Sequence, residues 1–225
     1  MMGSVLPPRV DDAPQPAIAP AARALTEAMA AIYGRGWCDG TGGNFSCVLQ
    51  QEPLLLLMAP SGVHKGAVAP EALIEVDGQG TVVRGSGKAS AETALHLAIV
   101  KQCQAGAVLH THSQAGTLLS QWGLAQGHLE LRDLEMLKGL SGITTHACSV
   151  QLPVLANDQN LQRLSSLAAP LLPQAPQGLL IAGHGLYAWG DTLPNAMRHL
   201  EILEFLLEQH WRQLLLRAVA PPPCT

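Results

Sequence analysis

A short apolar run in the middle of the chain ends in two histidines, Ala107-Val108-Leu109-His110-Thr111-His112. Side chains at positions i and i+2 of a β-strand point to the same face, whereas the same spacing on an α-helix separates them by roughly 200°. His110 and His112 could therefore present two imidazoles to one ion if this segment is a strand. A pair of packed or hydrogen-bonded histidines at a strand end is the alternative explanation of the spacing.

A third histidine follows a second apolar run. Residues 178–182 are apolar or glycine, and His184 lies between Gly183 and Gly185. Glycines in such a position let the backbone approach a site closely. Catalytic zinc is often bound by three histidines, with a fourth position open to water or substrate. His110, His112 and His184 are thus candidate ligands of one divalent ion, although three imidazoles also accept Fe, Co, Mn or Ni.

Composition limits the class of protein. The 225 residues suit one domain with a substantial core, and only 13% of them are charged, which favours a homo-oligomer. The net charge of −4 offers no basic surface to nucleic acid, and no apolar stretch reaches the ~18 residues of a membrane span. The five cysteines show no C-x-x-C spacing, which is typical of free thiols in a reducing compartment. We therefore expect a cytoplasmic protein without nucleic-acid or membrane partners.

One folded domain is predicted between two irregular ends. Residues 1–18 are rich in proline and alanine and lack apolar periodicity, so they are predicted to form a flexible leader. Residues 19–217 form the predicted catalytic domain, and residues 218–225, with three consecutive prolines, a disordered tail. Apolar periodicity predicts helices over 19–33, 159–172 and 194–217, and strands over 45–49, 54–58, 73–76 and 81–84.

Two turns are candidate anion sites. Residues 40–46 form a glycine-dense turn that offers backbone N–H groups to an anion, although a plain tight turn explains the same pattern. The hydroxyl of Ser61, the amide of Gly62 and the nearby Lys65 form a second candidate cradle. The glycine-dense turn is not a Walker loop, because no Gly-Lys-Ser/Thr follows.

Two glutamates are candidate functional groups, and each also has an ordinary explanation. Glu92 opens a helix, with Ser90 as its predicted N-cap, that leads directly into the histidine strand. A surface charge favourable to the helix dipole would look the same. Glu135 and Lys138 stand at i and i+3, which also fits an exposed ion pair worth about a few tenths of a kcal/mol. His96, among apolar neighbours, is predicted to be a packing residue.

Taken together and in chain order, these motifs resemble the class II aldolase/adducin family. The matching segments are Gly43-Asn44-Phe45-Ser46, Ser61-Gly62, Ser90-Ala91-Glu92, His110-Thr111-His112 and Gly183-His184-Gly185, and the similarity extends from Ala19 to Leu216. The resemblance implies an α/β fold of three α/β/α layers with a central, mainly antiparallel sheet, usually assembled as a homotetramer. It also implies one zinc ion per subunit, bound by the three histidines.

The same resemblance implies how a sugar phosphate would be held. The residues that match the family's phosphate contacts are Gly43, Asn44, Ser61, Gly62 and Ser90, with Lys138 assisting, and Lys65 belongs to the second candidate cradle. The family often carries a second serine where this chain has Ala91, so one hydroxyl is missing.

Within the family, residues 61–66, 135–139, 157–159 and 184–190 look like the dehydratases that act on 5-methylthioribulose 1-phosphate in methionine salvage. The expected activity is a zinc-dependent hydro-lyase that forms 2,3-diketo-5-methylthiopentyl 1-phosphate. Glu135 matches the dehydratase acid/base, and Glu92 matches the catalytic glutamate of the sugar-phosphate aldolases. Two alternatives remain: an aldolase that cleaves fuculose or ribulose phosphates with Glu92, and a non-catalytic adducin-like interaction domain.

Overall fold

The computed structural model describes residues 18–220, which form a sheet with helices on both faces. The strands are β1 (Asn44–Gln50), β2 (Leu55–Met58), β3 (Ile74–Asp77), β4 (Val82–Arg84), β5 (Ala107–Thr111), β6 (His128–Arg132), β7 (Ser149–Leu155), β8 (Gly178–Ile181) and β9 (Gly185–Gly190). The helices are α1 (Ala19–Gly34), α2 (Thr93–Cys103), α3 (Gln114–Gly123), α4 (Leu161–Ala168) and α5 (Leu193–Val219). Short 3₁₀ helices span Lys65–Ala67, Pro70–Ala72, Leu124–Gln126, Glu135–Gly139 and Leu172–Gln174.

The nine strands lie in the order β4-β3-β2-β1-β5-β9-β8-β7-β6. Every neighbouring pair is antiparallel except β7 and β8, which are parallel. β5, the strand that carries His110, lies in the middle of this order, between β1 and β9. The prediction of an α/β fold with a mainly antiparallel sheet is confirmed.

The two faces of the sheet carry different helices because side chains alternate along each strand. Leu109 and its neighbour Phe45 on β1 point to the core shared with α1, α3 and α5. Val108 and Tyr187 point the other way, to the core shared with α2 and α4. The predicted α/β/α layers follow directly from this alternation.

Helix limits match the apolar periodicity. In α1, Leu25, Met29 and Ile32 are fully buried at i, i+4 and i+7, and the helix covers the predicted 19–33 with one further residue. α5 runs to Val219, two residues past the predicted end. Most of the predicted leader, residues 1–17, and residues 221–225 of the predicted tail lie outside the described part of the chain. Among the described helices, none combines the length and the apolar character that crossing a bilayer requires.

Two predicted details of the helices were wrong. Ser90 is not the N-cap of α2, because the helix begins at Thr93 and Glu92 is the N-cap residue. The Ser90 hydroxyl instead accepts a hydrogen bond from the Glu92 amide (3.3 Å), which closes the turn before the helix. α4 ends at Ala168 rather than near residue 172, since Pro170 cannot continue a helix.

A buried hydrogen bond joins α5 to β5. Thr111 lies between the two histidines of the strand segment, and its hydroxyl donates to Glu204 Oε1 (2.5 Å) on the α5 side of the sheet. Glu204 is only 3% exposed. Burial raises the pKa of Glu204 to about 7, although hydrogen bonds from Ser113 and Thr111 oppose the shift. Glu204 is therefore largely protonated in the folded protein below neutral pH.

We predict that Glu204 makes the protein less stable as the pH rises. Its folded pKa of about 7 lies above the value of about 4.3 for an unfolded chain, so between these values the folded state holds a proton that the unfolded state releases. The free energy of unfolding then falls with rising pH. Glu204→Gln should remove this contribution to the pH dependence. From pH 5 to pH 8 the wild type should therefore lose about 1–3 kcal/mol more of its free energy of unfolding than Glu204→Gln loses.

Urea unfolding at the two pH values measures this difference. Glu71→Gln, a change at an exposed carboxylate, serves as the control and should show the pH dependence of the wild type. Equal pH dependence in Glu204→Gln and the wild type would contradict the assignment.

Candidate metal centre and active site

The sheet brings the three candidate histidines to one point. His110 lies in β5, His112 directly follows that strand, and His184 lies in the turn between β8 and β9. The Nε2 atom of His110 is 2.8 Å from Nε2 of His112 and 3.3 Å from Nε2 of His184. One nitrogen from each ring lies within 4.8 Å of the others. The expected convergence is therefore present, while the role of the rings as ligands stays a prediction.

The chemistry of the three rings fits a divalent metal ion. The Nδ1–H of His110 donates to the Leu186 carbonyl (3.0 Å), which leaves the lone pair of Nε2 facing the centre. Burial lowers the pKa of His110 well below its usual value and also lowers the pKa of His112, so both rings are neutral near pH 7. Metal binding requires neutral imidazoles. With their Nε2 atoms unprotonated, the clustered rings could bind one cation through their lone pairs.

Two glycines allow this close approach. A Cβ on Gly185 would overlap the Thr111 carbonyl oxygen, so β9 can lie against the end of β5 only with glycine at this position. Gly43 has φ +72°, and a Cβ there would lie 2.7 Å from the His110 carbonyl oxygen. The predicted glycine-rich anion turn therefore lies directly against the strand that carries His110.

Glu92 contacts the histidines. Its Oε1 lies 2.9 Å from Nε2 of His184 and 3.7 Å from Nε2 of His110, and its Oε2 accepts a hydrogen bond from Asn44 Nδ2. Burial alone would raise the pKa of Glu92, but the hydrogen bond with His184, the electrostatic effect of the nearby histidine rings and the Asn44 amide lower it far below its usual value. With a side chain 15% exposed, Glu92 is not the surface charge that its place in the sequence also allowed.

Aromatic packing supports the centre from behind. The ring of Tyr187 stacks on His110, with ring centroids 3.9 Å apart and an angle of 14° between the planes. The Tyr187 hydroxyl is buried and has no hydrogen-bond partner among the described residues. Burial and the nearby charge of Glu92 raise the pKa of this hydroxyl well above its usual value. Tyr187 was recognised in the sequence only as part of a family motif, since nothing local places it beside His110.

His96 makes polar contacts as well as packing contacts. It is fully buried, and its ring nitrogens lie 2.7 Å from Ser46 Oγ and 2.5 Å from Asn44 Oδ1. The prediction of a packing histidine was thus incomplete. The available signal was the spacing of Asn44 and Ser46, which places two polar side chains on one face of a buried strand.

The residues of the two candidate anion cradles are joined by Lys65. This lysine is 2% exposed, and its Nζ donates to the carbonyls of Thr41 (2.9 Å) and Val63 (3.0 Å), one in each turn. Burial lowers its pKa, an effect opposed by Cys38 and Glu92. Ser61 and Gly62 are exposed in the second turn, whose Ser61 amide donates to the Lys88 carbonyl (2.8 Å). Phosphate binding by these residues stays a prediction.

Glu135 and Lys138 lie on an exposed 3₁₀ helix. Lys138 Nζ is 2.7 Å from Glu135 Oε1, with 44% of the lysine and 69% of the glutamate side chain exposed. His146 is a second partner of Glu135, at 3.5 Å. Lys138 lowers the pKa of Glu135 by a hydrogen bond and by its charge. The exposed ion pair that the i, i+3 spacing also allowed is therefore present. The described ionic partners of Glu135 do not include His110, His112 or His184. Its catalytic role stays a prediction.

Comparison with known proteins supports the family resemblance. A family model described as the class II aldolase and adducin N-terminal domain matches residues 23–211. A methylthioribulose-1-phosphate dehydratase from Pseudomonas syringae pv. syringae is 41% identical over 87% of this chain and 94% of that protein. The enzyme of the same name from Methylococcus capsulatus is 43% identical over 84% of this chain and 91% of that protein.

Solved structures share the fold. YgbL from Escherichia coli superimposes with a TM-score of 0.74 at 24% identity, covering 92% of this chain and 93% of that one. The l-fuculose-1-phosphate aldolase of Thermus thermophilus gives 0.69 at 26% identity, covering 92% of this chain and all of the aldolase.

We predict that His112→Ala will lose bound metal, because two remaining imidazoles leave a divalent ion with too few protein ligands. Elemental analysis after purification in zinc-containing buffer should fall from about one zinc per subunit in the wild type to a small fraction of that value. His128→Ala, which alters a histidine outside the cluster, is the matched control and should keep its zinc. Full occupancy in His112→Ala would remove His112 from the ligand set.

Proposed function

The chain belongs to the class II aldolase and adducin family, and on that basis we propose that it is a zinc-dependent hydro-lyase of methionine salvage. Its substrate is 5-methylthioribulose 1-phosphate and its product 2,3-diketo-5-methylthiopentyl 1-phosphate. The observation that carries the reaction class is the meeting of three imidazoles and an ionised glutamate at one point. The choice of substrate is supported by dehydratases about 40% identical over most of the chain.

His110, His112 and His184 would hold the zinc ion, which would supply a Lewis acid for the negative charge that develops next to the ketone. The chain must then move two groups: a proton leaves C3, next to the C2 carbonyl, and a hydroxyl leaves C4. Glu135 is proposed to carry the proton from C3 to the departing hydroxyl, as the family resemblance implies. Glu92, ionised and next to the histidines, is the second candidate for proton transfer.

Phosphate binding is proposed to orient the substrate. The residues assigned to it are Gly43, Asn44, Ser61, Gly62, Lys65, Ser90 and Lys138. Lys65 supports this assignment because its ammonium group joins the two glycine turns and brings positive charge between them. Holding a part of the substrate that does not react fixes the reacting carbons in place, which lowers the barrier without chemistry at the phosphate.

We further propose a homotetramer in the cytoplasm. Large apolar side chains stand on the surface of the single chain, among them Trp122 (65% exposed) and Leu216 (62% exposed), and such groups favour burial between subunits. The four cysteines in the described part of the chain, Cys38, Cys47, Cys103 and Cys148, are free thiols, which suits a reducing compartment.

An aldolase is the second candidate, and one observation favours it. Glu92 matches the catalytic glutamate of the family's aldolases and is the carboxylate that contacts the histidines. Both reactions place negative charge beside the ketone: dehydration does so by removing the C3 proton, and aldol cleavage does so by breaking the C3–C4 bond. An adducin-like interaction domain is disfavoured, because such a domain has no need for three imidazoles that converge at 2.8 and 3.3 Å.

Incubation with synthetic 5-methylthioribulose 1-phosphate tests the proposal. We expect a phosphorylated 2,3-diketone, detected by mass spectrometry as a loss of one water, and we expect a chelator to abolish it and added zinc to restore it. Release of an aldehyde fragment would establish the aldolase instead. No turnover of this ketose or of fuculose and ribulose phosphates, in protein shown to contain zinc, would overturn both enzymatic assignments.

Replacement of each glutamate separates their roles. Glu135→Gln should lower kcat by roughly 10²- to 10⁴-fold while zinc content stays unchanged, because a positioned acid/base group is lost. Glu130→Gln, another exposed glutamate with an arginine partner, is the control and should retain full activity. A near-normal rate in Glu135→Gln would exclude Glu135 from proton transfer, and a large loss in Glu92→Gln would then assign that step to Glu92.

A further inference from the structure

A chain of buried hydrogen bonds leads from the interior of the protein to the metal centre. Asn44 and Ser46 stand two residues apart on β1 and face α2, where His96 lies between them. The His96 ring nitrogens contact Ser46 Oγ (2.7 Å) and Asn44 Oδ1 (2.5 Å), and the Asn44 amide nitrogen contacts Glu92 Oε2. Asn44, Ser46 and His96 are at most 5% exposed, so water is poorly placed to replace any partner.

The direction of these hydrogen bonds is fixed at the Glu92 end. Asn44 Nδ2 donates to Glu92 Oε2, and Asn44 Oδ1 faces His96 Nε2. Because an amide nitrogen can only donate and an amide oxygen can only accept, this orientation sets the direction of both contacts. The opposite orientation of the amide has almost the same shape but would place two acceptor oxygens against each other.

The tautomer of His96 follows from the same reasoning. Burial lowers the pKa of His96 to about 4, so the ring is neutral and carries one donor and one acceptor. Because Asn44 Oδ1 can only accept, the His96 Nε2–H must donate to it. Nδ1 is then the acceptor, and the Ser46 hydroxyl donates to it. Every group in the chain is satisfied in this one direction.

We propose that His96 is a positioning residue which, as the Nε2–H tautomer, holds the Asn44 amide and thereby directs Oε1 of Glu92 at the metal centre. The amide has two nearly isosteric orientations, and His96 is the group that distinguishes them on the side away from Glu92. The assignment of the tautomer rests on the contacts of His96 with Asn44 and Ser46 and on the neutral state of the buried ring. Its effect on rate rests on the proposed function, since it requires that Glu92 takes part in the reaction.

Nitrogen NMR of protein labelled with ¹⁵N-histidine tests the tautomer directly, in the metal-free and the zinc-loaded forms. We expect a neutral His96 ring with a protonated Nε2 and an unprotonated Nδ1 between pH 6 and pH 8, assigned by the loss of its signals in His96→Gln. A Nδ1–H tautomer, or a charged ring in this range, would overturn the proposal. This result does not depend on activity, so it is separate from a failure of the dehydratase assay.

Two substitutions test the positioning role. Glutamine carries a donor and an acceptor that can replace those of His96, whereas methionine fills a similar volume with neither. In His96→Met we expect kcat to fall about 10- to 100-fold with unchanged zinc content and little change in KM, and in His96→Gln we expect a clearly smaller loss. The melting temperature of His96→Met should not be lower than that of His96→Gln, since methionine suits a buried site at least as well as glutamine.

A role in packing alone predicts a different result. His96→Met would then equal or exceed His96→Gln in both kcat and melting temperature, and that outcome would overturn the proposal. Equal kcat in both variants and the wild type would do so as well. Should a variant fail to fold, the NMR measurement on the wild-type protein still decides the question.

Discussion

The pairing of β5 with its two neighbours is the constraint on which the site depends. The register places Asn44 of β1, His110 of β5 and Tyr187 of β9 side by side, and directly paired residues of antiparallel strands point to the same face. A slip of one residue would turn His110 toward α5 and bury its imidazole among leucines. The metal centre, the stacked tyrosine and the Asn44–Glu92 contact are therefore consequences of one register.

The same strand keeps two buried carboxyl groups in opposite states of protonation. On one face, imidazoles and an amide surround Glu92, and their hydrogen bonds and potential outweigh the cost of burial. On the other face, Glu204 has hydroxyl neighbours that cannot outweigh that cost, so its pKa is raised. Environment rather than residue type thus separates a charged group, suited to a cationic centre, from a largely neutral one that joins α5 to the sheet.

What the sequence predicted correctly was local or periodic. The i, i+2 spacing of His110 and His112 and the apolar stripes of α1 and α5 need no knowledge of distant contacts. The N-cap prediction for α2 was wrong: Glu92 is the N-cap residue, and its side chain contacts His184, ninety-two residues away in the sequence. The polar role of His96 and the burial of Glu204 also depend on which helix packs on which face. The position of Glu204 between Leu203 and Leu207, on the apolar stripe of α5, was the one local sign that this carboxyl group is buried.

The position of the glycine turn bears on which substrates the site can hold. Gly43 lies against the His110 carbonyl, so a phosphate bound by this turn, as we propose, would sit next to the metal centre. That placement suits a 1-phospho-2-ketose, in which the phosphate-bearing carbon adjoins the ketone. It does not distinguish dehydration from aldol cleavage, because both substrates share this end. Selectivity between the two reactions must therefore arise beyond C3. There a dehydratase has to protonate a departing hydroxyl and accommodate an apolar methylthio group, whereas an aldolase has to release an aldehyde.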